Sequence, residues 1–160
     1  MKKCLFAGSF DPITNGHEEL IKKASEMFEE VYVVLSLNLR KKSMFSEEDR
    51  VKMISAVCAK YKNVKIATHR GIIADFMKDN GIRYFVRGLR NTTDYVYENE
   101  MTYFNSVLLP EMVTVYLPCS EKNVHVSSSA VRELMEFHKD VTAYVPQEIL
   151  PFIEKFKKTV

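Results

Sequence analysis

Gly8-Ser9-Phe10-Asp11-Pro12-Ile13-Thr14-Asn15-Gly16-His17 joins two segments of different periodicity. Before it, Lys2 to Ala7 reads as a short apolar strand. After it, Leu20, Ile21, Ala24 and Phe28 recur at helical spacing. The stretch is therefore a strand-to-helix turn, which belongs at the carboxyl edge of a parallel sheet. Unpaired N–H groups of the following helix carry partial positive charge at that edge, so an anion is the expected ligand. Gly8 is expected to leave the strand with unusual dihedrals and to let a ligand approach the backbone. Pro12 stiffens the loop, and Gly16 clears space beside His17. In the first helical turn His17 feels the positive end of the dipole, which favours the neutral imidazole, a donor and acceptor for phosphoryl oxygens. The same residues also fit a plain connection in which His17 only caps the helix or faces solvent.

Working outward, Val31 to Leu37 is a near-continuous apolar run, as in a strand buried on both faces, and with the first strand it forms a right-handed βαβ unit. The basic loop Asn38-Leu39-Arg40-Lys41-Lys42-Ser43-Met44-Phe45 leaves the same sheet edge as His17, which brings its lysines toward the same anion; a solvated basic loop is the plainer reading. Ser46, followed by Glu47, Glu48 and Asp49, opens the next helix. Val64 to Ala67 reads as a third strand, and Ile72 to Lys78 as a helix stopped by Asn80-Gly81. A fourth strand, Ile82 to Val86, runs into Arg87-Gly88-Leu89-Arg90. Guanidinium forks at a strand's carboxyl end suit phosphate oxygens, with surface ion pairs as the alternative.

Thr92 to Leu109 reads as a long helix whose Tyr95, Tyr97, Met101, Tyr103, Phe104 and Leu108 exceed what one core-facing stripe needs. Part of that surface is expected to be exposed and to mark a subunit contact. Val113 to Leu117 is the fifth strand. Asn123-Val124-His125-Val126 then leads to Ser127-Ser128-Ser129 and a helix from Ala130 to Phe137. These hydroxyls either cap the helix or, in addition, offer donors to an anion. The tail from Pro146 to Lys158 reads as an amphipathic helix.

Composition sets the limits. At 160 residues, 46% hydrophobic and 28% charged, residues 1–160 are expected to form one domain with a substantial core. A net charge of +2 is too small to indicate nucleic acid. No apolar run approaches a membrane span and the N-terminus lacks the core of a signal peptide, so neither membrane nor nucleic acid is expected as partner and a cytoplasmic location is. Cys4, Cys58 and Cys119 are dispersed among apolar residues, as reduced core thiols are, and no residue pattern suggests a protein-held metal.

The motif Gly8-x-Phe10-Asp11-Pro12-x-x-x-Gly16-His17 resembles the opening signature of the nucleotidylyltransferase superfamily, whose short form is His-x-Gly-His; here Thr14 stands at the first histidine. With Thr14-Asn15-Gly16-His17, Arg87-Gly88-Leu89-Arg90 and Ser127-Ser128-Ser129-x-Val131-Arg132 in that order, nearly the whole chain is similar to the bacterial phosphopantetheine adenylyltransferases. The resemblance implies a Rossmann-like α/β fold with a five-stranded parallel sheet flanked by helices and a helical C-terminus. It also implies transfer of adenylyl from ATP to 4′-phosphopantetheine, giving dephospho-coenzyme A and pyrophosphate. Magnesium would be carried with the ATP, coenzyme A is a possible feedback ligand, and the assembly is a homohexamer.

By the same resemblance His17, Lys41 and Arg90 are catalytic, with Lys42 the near rival of Lys41. ATP is bound by Ser9, Phe10, His17, Gly88, Leu89, Arg90, Glu98, Asn123, Val124, His125, Val126, Ser127, Ser128 and Ser129. Ser9, Lys41, Ile73 and Arg87 bind the acceptor, and no residue binds a metal. The chain departs from the family at Gly71, where an acid is usual, and at Asn123-Val124-His125, where aromatic-Ser-aromatic is usual. Two other functions remain alongside: another small nucleotidylyltransferase using glycerol phosphate or nicotinamide mononucleotide, and a catalytically silent nucleotide-binding module.

Overall fold

The computed structural model describes residues 1–38, 40 and 42–159. Five parallel strands lie in the order β3-β2-β1-β4-β5: β1 (Lys3–Gly8), β2 (Glu30–Ser36), β3 (Val64–His69), β4 (Tyr84–Leu89) and β5 (Val113–Pro118). Between them run α1 (Asn15–Met27), α2 (Glu47–Cys58), α3 (Ile73–Asp79) and α4 (Thr92–Leu108); α5 (Ser128–Glu136) and α6 (Leu150–Thr159) follow. This is the expected Rossmann-like fold.

Alternation along β1 builds two cores. Cys4 and Phe6 point into the larger layer with Leu20 and Ile21 of α1, Met53 and Ile54 of α2, Val131 of α5 and Ile153 of α6. Leu5 and Ala7 point the other way, to Ala74 and Met77 of α3 and to Leu109. Helix α4 departs from this pattern, because Glu98 is its only buried residue. Tyr97, Tyr103, Phe104 and Val107 are each more than 60% exposed, which makes the expected apolar patch the dominant feature of that helix.

Four helices begin at the carboxyl edge on side-chain caps. Thr14, Ser46, Asn91 and Ser127 each accept a backbone N–H from three residues ahead. The sheet is least continuous between β1 and β4. Only Cys4↔Tyr84 and Leu5↔Phe85 are in register there, whereas β1 and β2 pair from Lys3↔Glu30 to Gly8↔Leu35. That split is the point where the strand order reverses, and it opens the crevice in which α/β sheets hold ligands.

Several element boundaries differ from expectation, three of them with a clear local cause. Arg87, Gly88 and Leu89 lie inside β4, because they pair with Tyr116, Leu117 and Pro118 of β5. Helix α5 starts at Ser128, since Ser127 is already its cap. The tail begins as a short 3₁₀ turn, Gln147–Ile149: Pro151 has no N–H to give the Gln147 carbonyl, and Leu150 bonds it instead.

Candidate active site

The crevice is a cavity of about 360 Å³ lined by Gly8, Ser9, His17, Arg87, Gly88, Arg90, Glu98, Cys119 and the start of α5. Its residues come from β1, α1, β4, α4 and α5, which the topology brings to one edge.

His17 is held by its own helix cap. The Thr14 N–H donates to His17 Nδ1 at 3.0 Å, while the Thr14 hydroxyl accepts the His17 N–H, a capping box in which the imidazole replaces the usual glutamate or glutamine. Because Nδ1 is the acceptor, the neutral ring carries its proton on Nε2, which is left to donate. Burial, then the charges of Arg87 and Arg90, lower the His17 pKa to about 4. The expected neutral histidine is thus present, but burial and the two arginines account for the shift.

Below the imidazole sits Phe10, 5.0 Å away edge-on and 1% exposed. Phe10, not Gly8, carries the unusual backbone, with φ at 43°. Gly8 is part of the strand, and a Cβ there would lie 3.4 Å from the Phe10 ring, at the near limit of ordinary contact. Phe10 is not among the residues lining the cavity.

Both arginines are pinned. Arg87 donates two bonds to the Glu98 carboxylate, at 2.8 and 2.7 Å, and a third to the Ala7 carbonyl at 3.1 Å across the split between β1 and β4. Arg90 pairs with Asp94 at 3.0 Å. Gly88 admits Leu20, whose Cδ1 would lie 2.4 Å from an added Cβ. Leu89 lies outside the cavity lining, and its carbonyl bonds the Cys119 N–H.

Of the serine segment, Val126, Ser127 and Ser128 reach the cavity. Ser127 caps α5, Ser128 Oγ donates to the Pro12 carbonyl at 2.8 Å, and Ser129 Oγ accepts from Arg132. Asn123 turns away: its amide donates to Glu19 at 2.6 Å. Burial raises the Glu19 pKa, but the bonds from Lys23, Ser120 and Asn123 outweigh it and hold the carboxyl at about 2. Val124 is part-buried outside the cavity, and exposed His125 lines a separate apolar hollow with Phe137 and Tyr144. Ile73, at the first turn of α3, packs on the smaller core and not in the cavity. Lys42 is exposed, while the position inferred for the catalytic lysine, Lys41, lies outside the described residues. Gly71 takes φ of +144°, a conformation that a side chain strains, so an acid does not fit there without backbone change.

The sequence motif contains Asp11 without assigning it a role, and nothing in the sequence singles out Arg50. Asp11 accepts the N–H groups of Met44 and Phe45 at 2.9 Å each, and buried Arg50 donates to the Ser9 carbonyl at 3.0 Å. Among the described residues no three His, Cys, Asp or Glu side chains converge as a metal site, and no helix is long and apolar enough to cross a membrane. The cysteines are free, with burial lifting the Cys4 and Cys58 pKa values to about 12.

Residues 5–134 match the model of the cytidylyltransferase-like family. The chain is 42% identical over 158 residues to a phosphopantetheine adenylyltransferase of Streptococcus agalactiae serotype Ia, covering 98% of both chains. It is 41% identical to one from Streptococcus equi subsp. equi, covering 96% of this chain and 93% of the relative. Among solved structures, a putative nicotinate-nucleotide adenylyltransferase from Vibrio parahaemolyticus superposes with a TM-score of 0.68 over 96% of this chain and 99% of the other; at 20% identity it speaks for the fold alone.

Proposed function

Because the chain belongs to the cytidylyltransferase-like family and resembles phosphopantetheine adenylyltransferases along nearly its whole length, we infer that it moves the adenylyl group of ATP onto 4′-phosphopantetheine. The products are dephospho-coenzyme A and pyrophosphate, and the reaction is a step of coenzyme A synthesis. The observation that carries this reading at the site is the convergence of His17, Arg90 and the capped start of α5 on one cavity at the sheet's switch point.

The mechanism we propose is in-line attack of the acceptor phosphate on the α-phosphorus, with pyrophosphate leaving and no covalent enzyme intermediate. Such a transfer needs positioning and charge stabilisation more than proton traffic. A neutral His17 suits it: Nε2–H donates to an α-phosphate oxygen while Nδ1 stays fixed by the Thr14 amide. Arg90 and the N-terminus of α5 hold the β- and γ-phosphates, and Lys41 bridges to the attacking phosphate. Ser9 and Arg87, which line the cavity, serve the acceptor. Gly88, Glu98 and Val126, which line the cavity, serve the nucleotide. Asp94 and Glu98 act first on the protein itself, orienting Arg90 and Arg87.

Among the described residues the carboxylates at the site do not form a cage for magnesium. Asp94 and Glu98 are tied to arginines and Asp11 to backbone amides, so the ion belongs to the ATP phosphates. The apolar face of α4 supports self-association, a hexamer by resemblance. We place the enzyme in the cytoplasm as one domain over residues 1–160, with coenzyme A as a feedback ligand.

The test is pyrophosphate release from magnesium and ATP with 4′-phosphopantetheine, beside glycerol phosphate and nicotinamide mononucleotide. Release with phosphopantetheine alone is the expected result. Release only with another acceptor overturns the acceptor assignment, and no release with any acceptor overturns catalysis.

A further inference from the structure

The turn from Ser9 to Pro12 has to present positive groups to phosphates, yet its carbonyls are negative ends. Three of them are covered by donors from distant parts of the chain. Arg50 Nη1 takes the Ser9 carbonyl at 3.0 Å, Arg132 Nη1 the Asp11 carbonyl at 2.7 Å, and Ser128 Oγ the Pro12 carbonyl at 2.8 Å. Within this frame Asp11 is 5% exposed, and its carboxylate lies between Arg132, whose Nη1 is 3.8 Å from Oδ2, and the basic loop. Its Oδ2 accepts the Met44 N–H and its Oδ1 the Phe45 N–H, both at 2.9 Å. Charge-assisted bonds of this kind are roughly twice as strong as neutral ones. Among the described residues they are the only hydrogen bonds between the His17 turn and the loop that carries Arg40 and Lys42.

We propose that Asp11 is a positioning residue for the transfer: its buried carboxylate holds the end of the basic loop in register with the His17 turn, so that the loop's lysines meet the acceptor phosphate while His17 meets the nucleotide. The inference rests on the adenylyl-transfer reading. Asp11 acts through the Met44 and Phe45 amides and touches neither substrate. Phe45 is 3% exposed and packs on Phe156, so the end of the loop that Asp11 holds is also anchored in the core.

Asp11→Asn keeps the volume and turns one of the two accepted bonds into a clash of donors. With the full chain, turnover at saturating ATP and acceptor should fall about 100-fold, the scale expected of a displacement near 1 Å. The ATP dissociation constant, by calorimetry, should stay within about twofold, and the far-ultraviolet circular dichroism unchanged. In a Lys41→Ala/Lys42→Ala background the same substitution should lower turnover less than about threefold, because the groups it positions are gone. Wild-type turnover in Asp11→Asn overturns the proposal. So does an equal fold-loss in both backgrounds, which is what a general structural role produces. Should Asp11→Asn not fold, Asp11→Glu keeps the charge and displaces the carboxylate by one methylene; it is expected to show the same split, and full turnover there overturns the proposal. If the wild type releases pyrophosphate only with another acceptor, the acceptor assignment fails by itself and the cycle run with that acceptor decides Asp11. If it releases none with any acceptor, both fall.

Discussion

Replacing His17 with glutamine separates the histidine's charge from its work as a helix cap. Glutamine is the usual partner of a threonine cap at this position and accepts the Thr14 N–H as Nδ1 does, but it does not titrate. The folded His17 has a pKa of about 4 against 6.5 for the free side chain. Between those values the unfolded chain binds the proton that the folded chain refuses, so stability is complete above pH 6.5 and declines as pH falls toward 4. Integrating the two titrations, the wild type should lose about 2 kcal/mol between pH 7 and pH 5, and about 3 kcal/mol by pH 4. The upper part of that window is clean: Glu19, whose pKa drops from 4.5 to about 2 on folding, contributes stability that is lost only as pH falls through and below 4.5. Urea unfolding at fixed protein concentration, followed by far-ultraviolet circular dichroism because the chain has no tryptophan, gives both curves. The His17→Gln variant should lose about 2 kcal/mol less than the wild type between pH 7 and pH 5. Parallel curves for the two proteins would refute the neutral, cap-held imidazole.

Two further outcomes follow from the same contacts. Glu98→Gln leaves Arg87 with half of its fork partner, and because the pair is 26% and 12% exposed the loss in urea unfolding should be about 2 kcal/mol, short of the roughly 3–5 of a fully buried pair; a loss under about 0.5 kcal/mol would mean the pair is only a surface contact. Phe104→Glu puts a charge on the exposed face of α4 and should shift sedimentation velocity from an oligomer toward single chains; an unchanged boundary would move the association surface elsewhere.

What was readable in the sequence was what is local. The apolar runs and the capping residues Ser46 and Ser127 placed most strands and helices within a few residues, because periodicity and caps act over one or two turns. Two of the misplacements involve partners far along the chain. β4 runs on through Arg87 to Leu89 because β5 is there to pair with it. Asn123 looks like a ligand-facing amide until Glu19, 104 residues away, receives it. The positive φ of Phe10 depends on a ring packed between Phe6 and His17, which no turn rule anticipates. The family motif marked the phosphate-facing residues, but the struts behind them, Asp11 and Arg50, are visible only when the loops meet.

The short register between β1 and β4 has a mechanical consequence. A ladder is stiff where every rung is present, and here the rungs stop after Leu5↔Phe85. The β3-β2-β1 panel and the β4-β5 panel are therefore two plates joined along a narrow seam, with the reaction cavity in the wedge above it. Bending about that seam changes the gape of the wedge while each plate stays rigid. Arg87, bonded to Ala7 on one plate and to Glu98 above the other, is a suture across the opening. Any parting of the plates would have to stretch or break these bonds.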